Sequence, residues 1–285
     1  MERKRLLTAD TPCDIGAALR DRYDVRLIPL HILVGEKSYS DGVDITNEEI
    51  YDIWRTDKIL PKTSAINPDE YIEFFKPFVD DGYEVLHISL GSGISSCHQN
   101  ARIAANIVGN VRVIDSKNLS CGFGLLVCEA GERIREDRPL DEIVGELEAL
   151  VPKIRSSFVI DTLEFLHASG RCSNMAQLAA AAFKLKPSIE VLTEECGAMS
   201  SAKKYMGSIE KALVKYTTEH LANNDGIDTK RLFIVHTCPE DTIPAMIREK
   251  AESLMHFDEV HVLRAGSTIG SHCGPNTLGL MYLEK

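Results

Sequence analysis

The sequence has no C-x-x-C pair. Its eight cysteines stand at positions 13, 97, 121, 128, 172, 196, 238 and 273, so neither a zinc ribbon nor a thioredoxin-type centre is indicated. They read as small apolar fillers in a reducing compartment. A run of eighteen apolar residues is also missing, as is a signal-type apolar core after Met1-Glu2-Arg3-Lys4-Arg5. The expectation is a cytoplasmic protein with no stable membrane insertion. Basic excess is lacking too. Lys plus Arg number 32 against 43 Asp plus Glu, a net charge of −11 at pH 7, which argues against a nucleic-acid partner. There is no G-x-x-x-x-G-K-[ST], no G-x-S-x-G and no third glycine after Gly91-Ser92-Gly93. Those absences count against a P-loop, an α/β-hydrolase elbow and a full dinucleotide fingerprint. Neither internal repeats nor low-complexity tracts occur.

What is present is an ordinary globular composition. Across 285 residues, 44% are hydrophobic and 26% charged, enough for two modest domains or one large one. The most informative stretch is Leu86–Ala105. A β-rich run (Leu86-His87-Ile88-Ser89) enters the turn Gly91-Ser92-Gly93, then Ser95-Ser96 and an alanine-containing helical segment. Strand, glycine turn and helix start together make an anion cradle, because the first helical N–H groups lack partners and the helix dipole favours negative charge there. Ser95 and Ser96 stand where a hydroxyl either caps the helix or holds a carboxylate or phosphate oxygen.

Along the chain, the spacing predicts a first strand ending at Asp10-Thr11, a helix opening at Pro12 and a strand over Val25–Leu30, a parallel βαβ unit. Ile32–Val34 is read as extended through to Tyr39. Thr46 with Glu49, and Asn67 with Pro68 and Glu70, mark two helix starts. Thr63-Ser64 falls in the loop between those helices, its hydroxyls free. Val111–Ile114 ends at Asp115-Ser116 before an apolar helix from about Leu119 to Arg135. This alternation describes an N-terminal doubly wound parallel sheet, whose ligands gather at the carboxyl ends of its strands. Residues 1–155 are assigned to that domain. Residues 156–285 are read as an α+β domain with a mixed sheet: strand character restarting at Phe158, a helix over Met175–Phe183 capped by Asn174, a hairpin about Glu194–Gly197, and further strands to Leu283.

Other candidates carry open alternatives. His98 follows Ser95 by three residues, yet a base one turn along a helix points along it rather than at the serine. His272 lies in Gly270-Ser271-His272-Cys273-Gly274-Pro275, read as a loop, where a histidine is a site residue or a bystander. Arg171 beside Gly170 is a solvated charge or an anion clamp. Lys203, Lys204 and Lys211 are a solvated cluster or a docking patch for acidic groups. Cys97, His98 and His272 have no metal-ligand spacing.

In order along the chain, several motifs resemble those of the DegV family of bacterial fatty-acid-binding proteins. They are Asp10-Thr11 with Asp14, Ile28-Pro29-Leu30, Tyr39–Thr46, Lys62-Thr63-Ser64 with Pro68, Ser92–Ser96, Val113–Ser116 with Gly122, Gly170–Ser173 and Gly270–Pro275. The resemblance implies two α/β domains with a long-chain fatty acid between them. It implies a carboxylate held by Thr63 and Ser95, joined here by Ser96, with Arg171 and His272 near the head group. It implies a carrier with no catalytic residue, metal or cofactor of its own, whose acyl carboxylate is phosphorylated by a partner similar to dihydroxyacetone kinase. The alanine-rich Met175–Phe183 would line the acyl channel, so Ala180→Trp would abolish long-chain binding. Two departures stand out. Met206 in Lys204-Tyr205-Met206-Gly207 replaces a family arginine, which bears on the kinase partner. Ser96-Cys97-His98 replaces a glycine-threonine-tyrosine, which bears on the head-group pocket. The competing reading is a small-molecule enzyme acting on an acid or phosphate through Ser95, His98 or His272.

Overall fold

A computed structural model describes residues 4–173 and 185–285. Among them, the strands Arg26–Ile28, Lys4–Asp10, Tyr83–Ser89 and Val111–Asp115 pair in that order into a parallel sheet. Its two central strands are buried on both faces from Leu6 to Asp10 and from Val85 to Ser89, because helices cover both sides. The helices Pro68–Asp80 and Cys97–Val108 pack together over one face, and the helix Ser120–Arg135 lies on the other. Every residue from Ser120 to Gly131 is buried. A helix apolar all round needs cover all round, and a second sheet supplies it. That sheet is mixed, in the order Glu259–Arg264, Arg231–His236, Leu278–Leu283, Ile154–Val159, Leu185–Leu192, Ala198–Met206 and Cys172–Ser173. Its outer face carries Ile209–Leu221 and Thr242–Leu254. The protein is therefore α/β, with a parallel and a mixed sheet sharing one buried helix. Among the described residues no helix is long and apolar enough to cross a membrane.

Close packing explains glycines on that helix. A Cβ on Gly122 would lie 1.9 Å from Asn118 Oδ1 and 2.2 Å from Ser156 Oγ, and one on Gly131 would lie 2.5 Å from the Tyr23 ring. One apolar cluster accordingly runs from Leu7 and Ile88 through Leu126 to Phe158 and Phe233.

Local signals in the sequence survive in the structure. Both capping boxes form, Thr46 with Glu49 and Asn67 with Glu70. The hairpin turns through Thr193–Glu195 with Cys196 and Gly197 at positive φ. Several expectations need correction. The chain past Pro12 makes only a 3-10 turn (Thr11–Cys13), since Asp14 is left-handed (φ 51°), and the helix starts at Gly16. The extended run to Tyr39 is a hairpin, His31–Val34 against Lys37–Ser40, bent at Gly35 (φ 63°). Thr63-Ser64 is no loop, because Lys62–Ser64 adds to that hairpin as a third strand with Thr63 opposite Ile32. The strand expected from Phe158 begins at Ile154. Gly270–Cys273 is helical, the end of Ser267–Cys273, so His272 stands on a helix and not in a loop. The expected helix Met175–Phe183, with its cap Asn174 and Ala180, lies outside the described residues.

A buried charge cluster stitches the mixed sheet to the central helix. Arg231, only 3% exposed, reaches Glu129 (3.2 Å), Glu132 (2.8 Å) and Glu259 (2.9 Å), while Lys230 reaches Glu129 at 2.6 Å. Without Arg231, Glu129 keeps Arg133 and Lys230, Glu132 keeps Lys230 and Glu259 keeps Arg22, so what is lost is a buried charged partner rather than all compensation. Arg231→Ala is expected to cost about 2–3 kcal/mol in urea unfolding. A loss below 1 kcal/mol would show that the cluster is solvated.

Candidate functional site

The glycine turn is set by a carboxylate at the end of the first strand. Asp10 is fully buried. Its Oδ1 accepts from the Tyr71 hydroxyl (2.6 Å) and its Oδ2 from the Leu90 backbone N–H (2.8 Å). His87 Nε2 lies 3.2 Å from Asp10 Oδ1, and His87 Nδ1 meets Thr8 Oγ1 at 3.0 Å. A buried carboxylate persists only when its oxygens are partnered, and here the partners fix where Leu90 leaves the sheet. The turn then threads between two backbones. Gly91 N–H donates to Asn118 O (2.9 Å) and Gly93 N–H to Cys196 O (2.8 Å). A Cβ at either glycine would come within 2.8 Å of backbone atoms. The turn thus abuts the hairpin tip of the mixed sheet.

Beyond the turn, Ser95 Oγ accepts from Cys97 N–H (3.2 Å) and donates to Cys97 Sγ (3.1 Å). Ser96 holds the N-cap position of Cys97–Val108 but makes no side-chain cap bond, and it is exposed. Its hydroxyl is therefore not consumed by capping. The imagined Ser95–His98 pair does not form. Ser89 Oγ donates to Ile114 O (3.1 Å), so it accepts from His98 Nδ1–H at 3.0 Å. His98 faces a wider groove of about 1010 Å³ lined by charges of both signs, including Arg102, Lys117, Asp115 and Glu190. That groove holds none of the five expected site residues.

Those five residues, Thr63, Ser95, Ser96, Arg171 and His272, line one cavity of about 450 Å³. The volume is within the range of about 300–1,000 Å³ typical of small-molecule sites. Leu30, Leu90, Leu119, Leu166 and Ile269 supply apolar wall. Thr63 Oγ1 meets His272 Nε2 at 2.8 Å, while His272 Nδ1 is buried without a partner among the described residues. Burial, with the positive Arg171 adding to it, lowers the His272 pKa to about 4, so the ring is neutral at neutral pH. Arg171 is exposed and donates Nη1 to Ser169 O (2.5 Å). Among the described residues no carboxylate pairs with it. The site therefore presents one fixed positive charge, hydroxyls and a neutral imidazole, a set suited to a single anion. Sequence reading missed Thr268, which lines the same cavity with a buried Oγ1 that has no partner among the described residues. Gly270 and Gly274, which mark the segment around His272 in the sequence, are the nearest signal to it.

Neutral His272 carries a pH consequence. An unfolded histidine titrates near 6.5. As pH falls from about 6.5 to 4 the unfolded chain takes up a proton that the folded site refuses, so stability present above pH 6.5 is lost across that window. Urea unfolding between pH 7.5 and 4.5 is expected to show a slope that His272→Gln reduces. An identical slope in the variant would mean that the ring is charged or solvated.

Known proteins resemble the chain over nearly its whole length. The family model described as "Uncharacterised protein, DegV family" matches residues 5–285. A DegV domain-containing protein of Caldanaerobacter subterraneus subsp. tengcongensis is 32% identical over 292 residues, covering 100% of both chains. The solved structure "Fatty Acid Binding of a DegV family Protein from Thermus thermophilus" superposes with a TM-score of 0.89 at 27% identity, covering 99% of this chain and 100% of that one. A fatty acid binding DegV family protein from Streptococcus agalactiae gives 0.84 at 25% identity, covering 99% of each. The chain belongs to the DegV family.

Proposed function

We propose that the chain binds a long-chain fatty acid in the 450 Å³ cavity, its carboxylate held by the hydroxyls of Thr63, Ser95 and Ser96 with Arg171 and His272 beside it. The observation that carries this reading is the convergence of those five residues on one cavity whose remaining wall is largely apolar. The solved relatives from Thermus thermophilus and Streptococcus agalactiae, described as fatty acid binding, support it. With its proton on Nε2, His272 donates to Thr63 Oγ1, and the Thr63 hydroxyl proton is then free for a carboxylate oxygen. Arg171 supplies the charge, and the start of Cys97–Val108 adds helix N–H groups. Apolar wall takes the acyl tail, burial of which contributes about 0.8 kcal/mol per methylene.

The same reading makes the chain a carrier, not an enzyme, which presents the head group to a kinase partner similar to dihydroxyacetone kinase. The partner would transfer a phosphoryl group to the carboxylate. Exposure of Ser96 and Arg171 at the polar end supports such access. Met206, where the resemblance expects arginine, is 74% exposed at the end of Ala198–Met206 and does not line the cavity. It bears on the partner and leaves the lipid site unaltered. A cytoplasmic location belongs to this reading and accords with the free thiols of Cys13, Cys97, Cys121, Cys128, Cys196, Cys238 and Cys273.

Mass spectrometry of an organic extract from freshly purified protein tests the proposal. Near-stoichiometric fatty acid is expected from the native chain. The Thr63→Ala, Ser95→Ala variant should bind it about 100-fold more weakly or worse, since two hydrogen bonds to a charged group are together worth about 3–6 kcal/mol. Absence of lipid from both, with no oleate binding by titration, would overturn the reading.

A further inference from the structure

We infer that Asp14 and Asp41 are positioning residues for the acid site, holding the helix Ser267–Cys273 so that His272 meets Thr63. The inference rests on the proposed carboxylate site and deepens it. By sequence this helix belongs to the last tenth of the chain. By hydrogen bonding, its start is tied to the first sixth. Asp14 Oδ1 accepts from Gly266 N–H (2.8 Å) and Asp41 Oδ1 from Thr268 N–H (3.1 Å). The second oxygens are anchored in turn, Asp14 Oδ2 by the Ser120 hydroxyl (2.5 Å) and Asp41 Oδ2 by the Thr11 hydroxyl (2.9 Å). Asn47 Nδ2 donates to Ala265 O (2.8 Å) and Ser267 Oγ to Ile45 O (2.8 Å). Both aspartates are buried, and neither lines the cavity.

The clamp is tight enough to fix the helix along its axis. A Cβ on Gly266 would stand 3.1 Å from Oδ1 of both aspartates, and one on Gly270 would stand 1.9 Å from Asn47 Oδ1. Six residues after Gly266, His272 Nε2 arrives 2.8 Å from Thr63 Oγ1. A helix seven residues long makes few internal bonds, so its position depends on outside partners. A slip of about 1 Å would take Nε2 out of hydrogen-bond range. Two carboxylates facing one helix start would repel if both were charged. Burial foremost, with the Asp41 charge adding to it, pushes the Asp14 carboxyl up to about 8, which eases that repulsion. Asparagine keeps an Oδ1 acceptor for Gly266 N–H and places its Nδ2 where Oδ2 meets the Ser120 hydroxyl, which can turn to accept.

The test compares Asp14→Asn, Asp14→Ala and Gly266→Ala with the native chain. Two quantities are read: the ¹⁵N NMR signals of the His272 ring without lipid, and the Kd for oleate. Asp14→Ala is expected to shift the Nε2 signal and weaken oleate binding about tenfold, with Asp14→Asn within about threefold of native. A folded Asp14→Ala chain with native signal and affinity would overturn the inference. Equal loss in Asp14→Asn and Asp14→Ala would do so as well, since the bond geometry would not be what matters. If Asp14→Ala does not fold, Gly266→Ala decides, because its methyl pushes on both carboxylates and removes neither. A shifted ring and weaker binding support the clamp, and native values overturn it. Should the native chain bind no oleate, the carboxylate reading falls, while the ring signals still decide the clamp.

Discussion

The helix Ser120–Arg135 has no face left for water along its first three turns, and the rest of the structure follows from that burial. An apolar helix cannot be covered by one sheet, so a second must pack on its far side. Once both sheets share it, their separation and relative angle are set by close packing against small residues such as Gly122 and Gly131. The Arg231 cluster adds a polar fastening to the same contact. Its buried charges tolerate little displacement, because each depends on partners from the other layer.

This arrangement brings together segments that could not otherwise meet. Thr63 comes from the third strand of a small edge sheet, Ser95 from a turn anchored by Asp10, Arg171 from the end of a short helix, and His272 from a helix clamped by the opposite end of the chain. Each is held by backbone bonds or buried carboxylates rather than by the cavity itself. A site supported in that way keeps its geometry without ligand, which limits the ordering cost of binding.

The electrostatics of the site follow from burial as much as from composition. In an acidic chain of net charge −11, the cavity still carries a positive group, Arg171, with no carboxylate against it among the described residues. The nearby imidazole is kept neutral by burial and by that arginine. An anion entering the cavity meets donors and one charge, not an ion pair that must first be broken.

Features that depend on neighbours a few residues apart were legible in the sequence. Thr46 with Glu49 and Asn67 with Glu70 close their capping boxes over three residues, and Gly91-Ser92-Gly93 marks a turn wherever the chain runs. The alternation of strands and helices followed from the same local periodicity. Only the tertiary structure decided that Thr63 lies on a strand, because the bonds that make it one come from His31–Val34 across some thirty residues. It also decided that His272 is helical. The glycines around it read as a loop, and the groups that hold the start of its helix, Asp14, Asp41 and Asn47, lie more than two hundred residues away. Short-range bonds are written in spacing, whereas a ladder or a clamp between distant segments exists only after the core has brought both sides together.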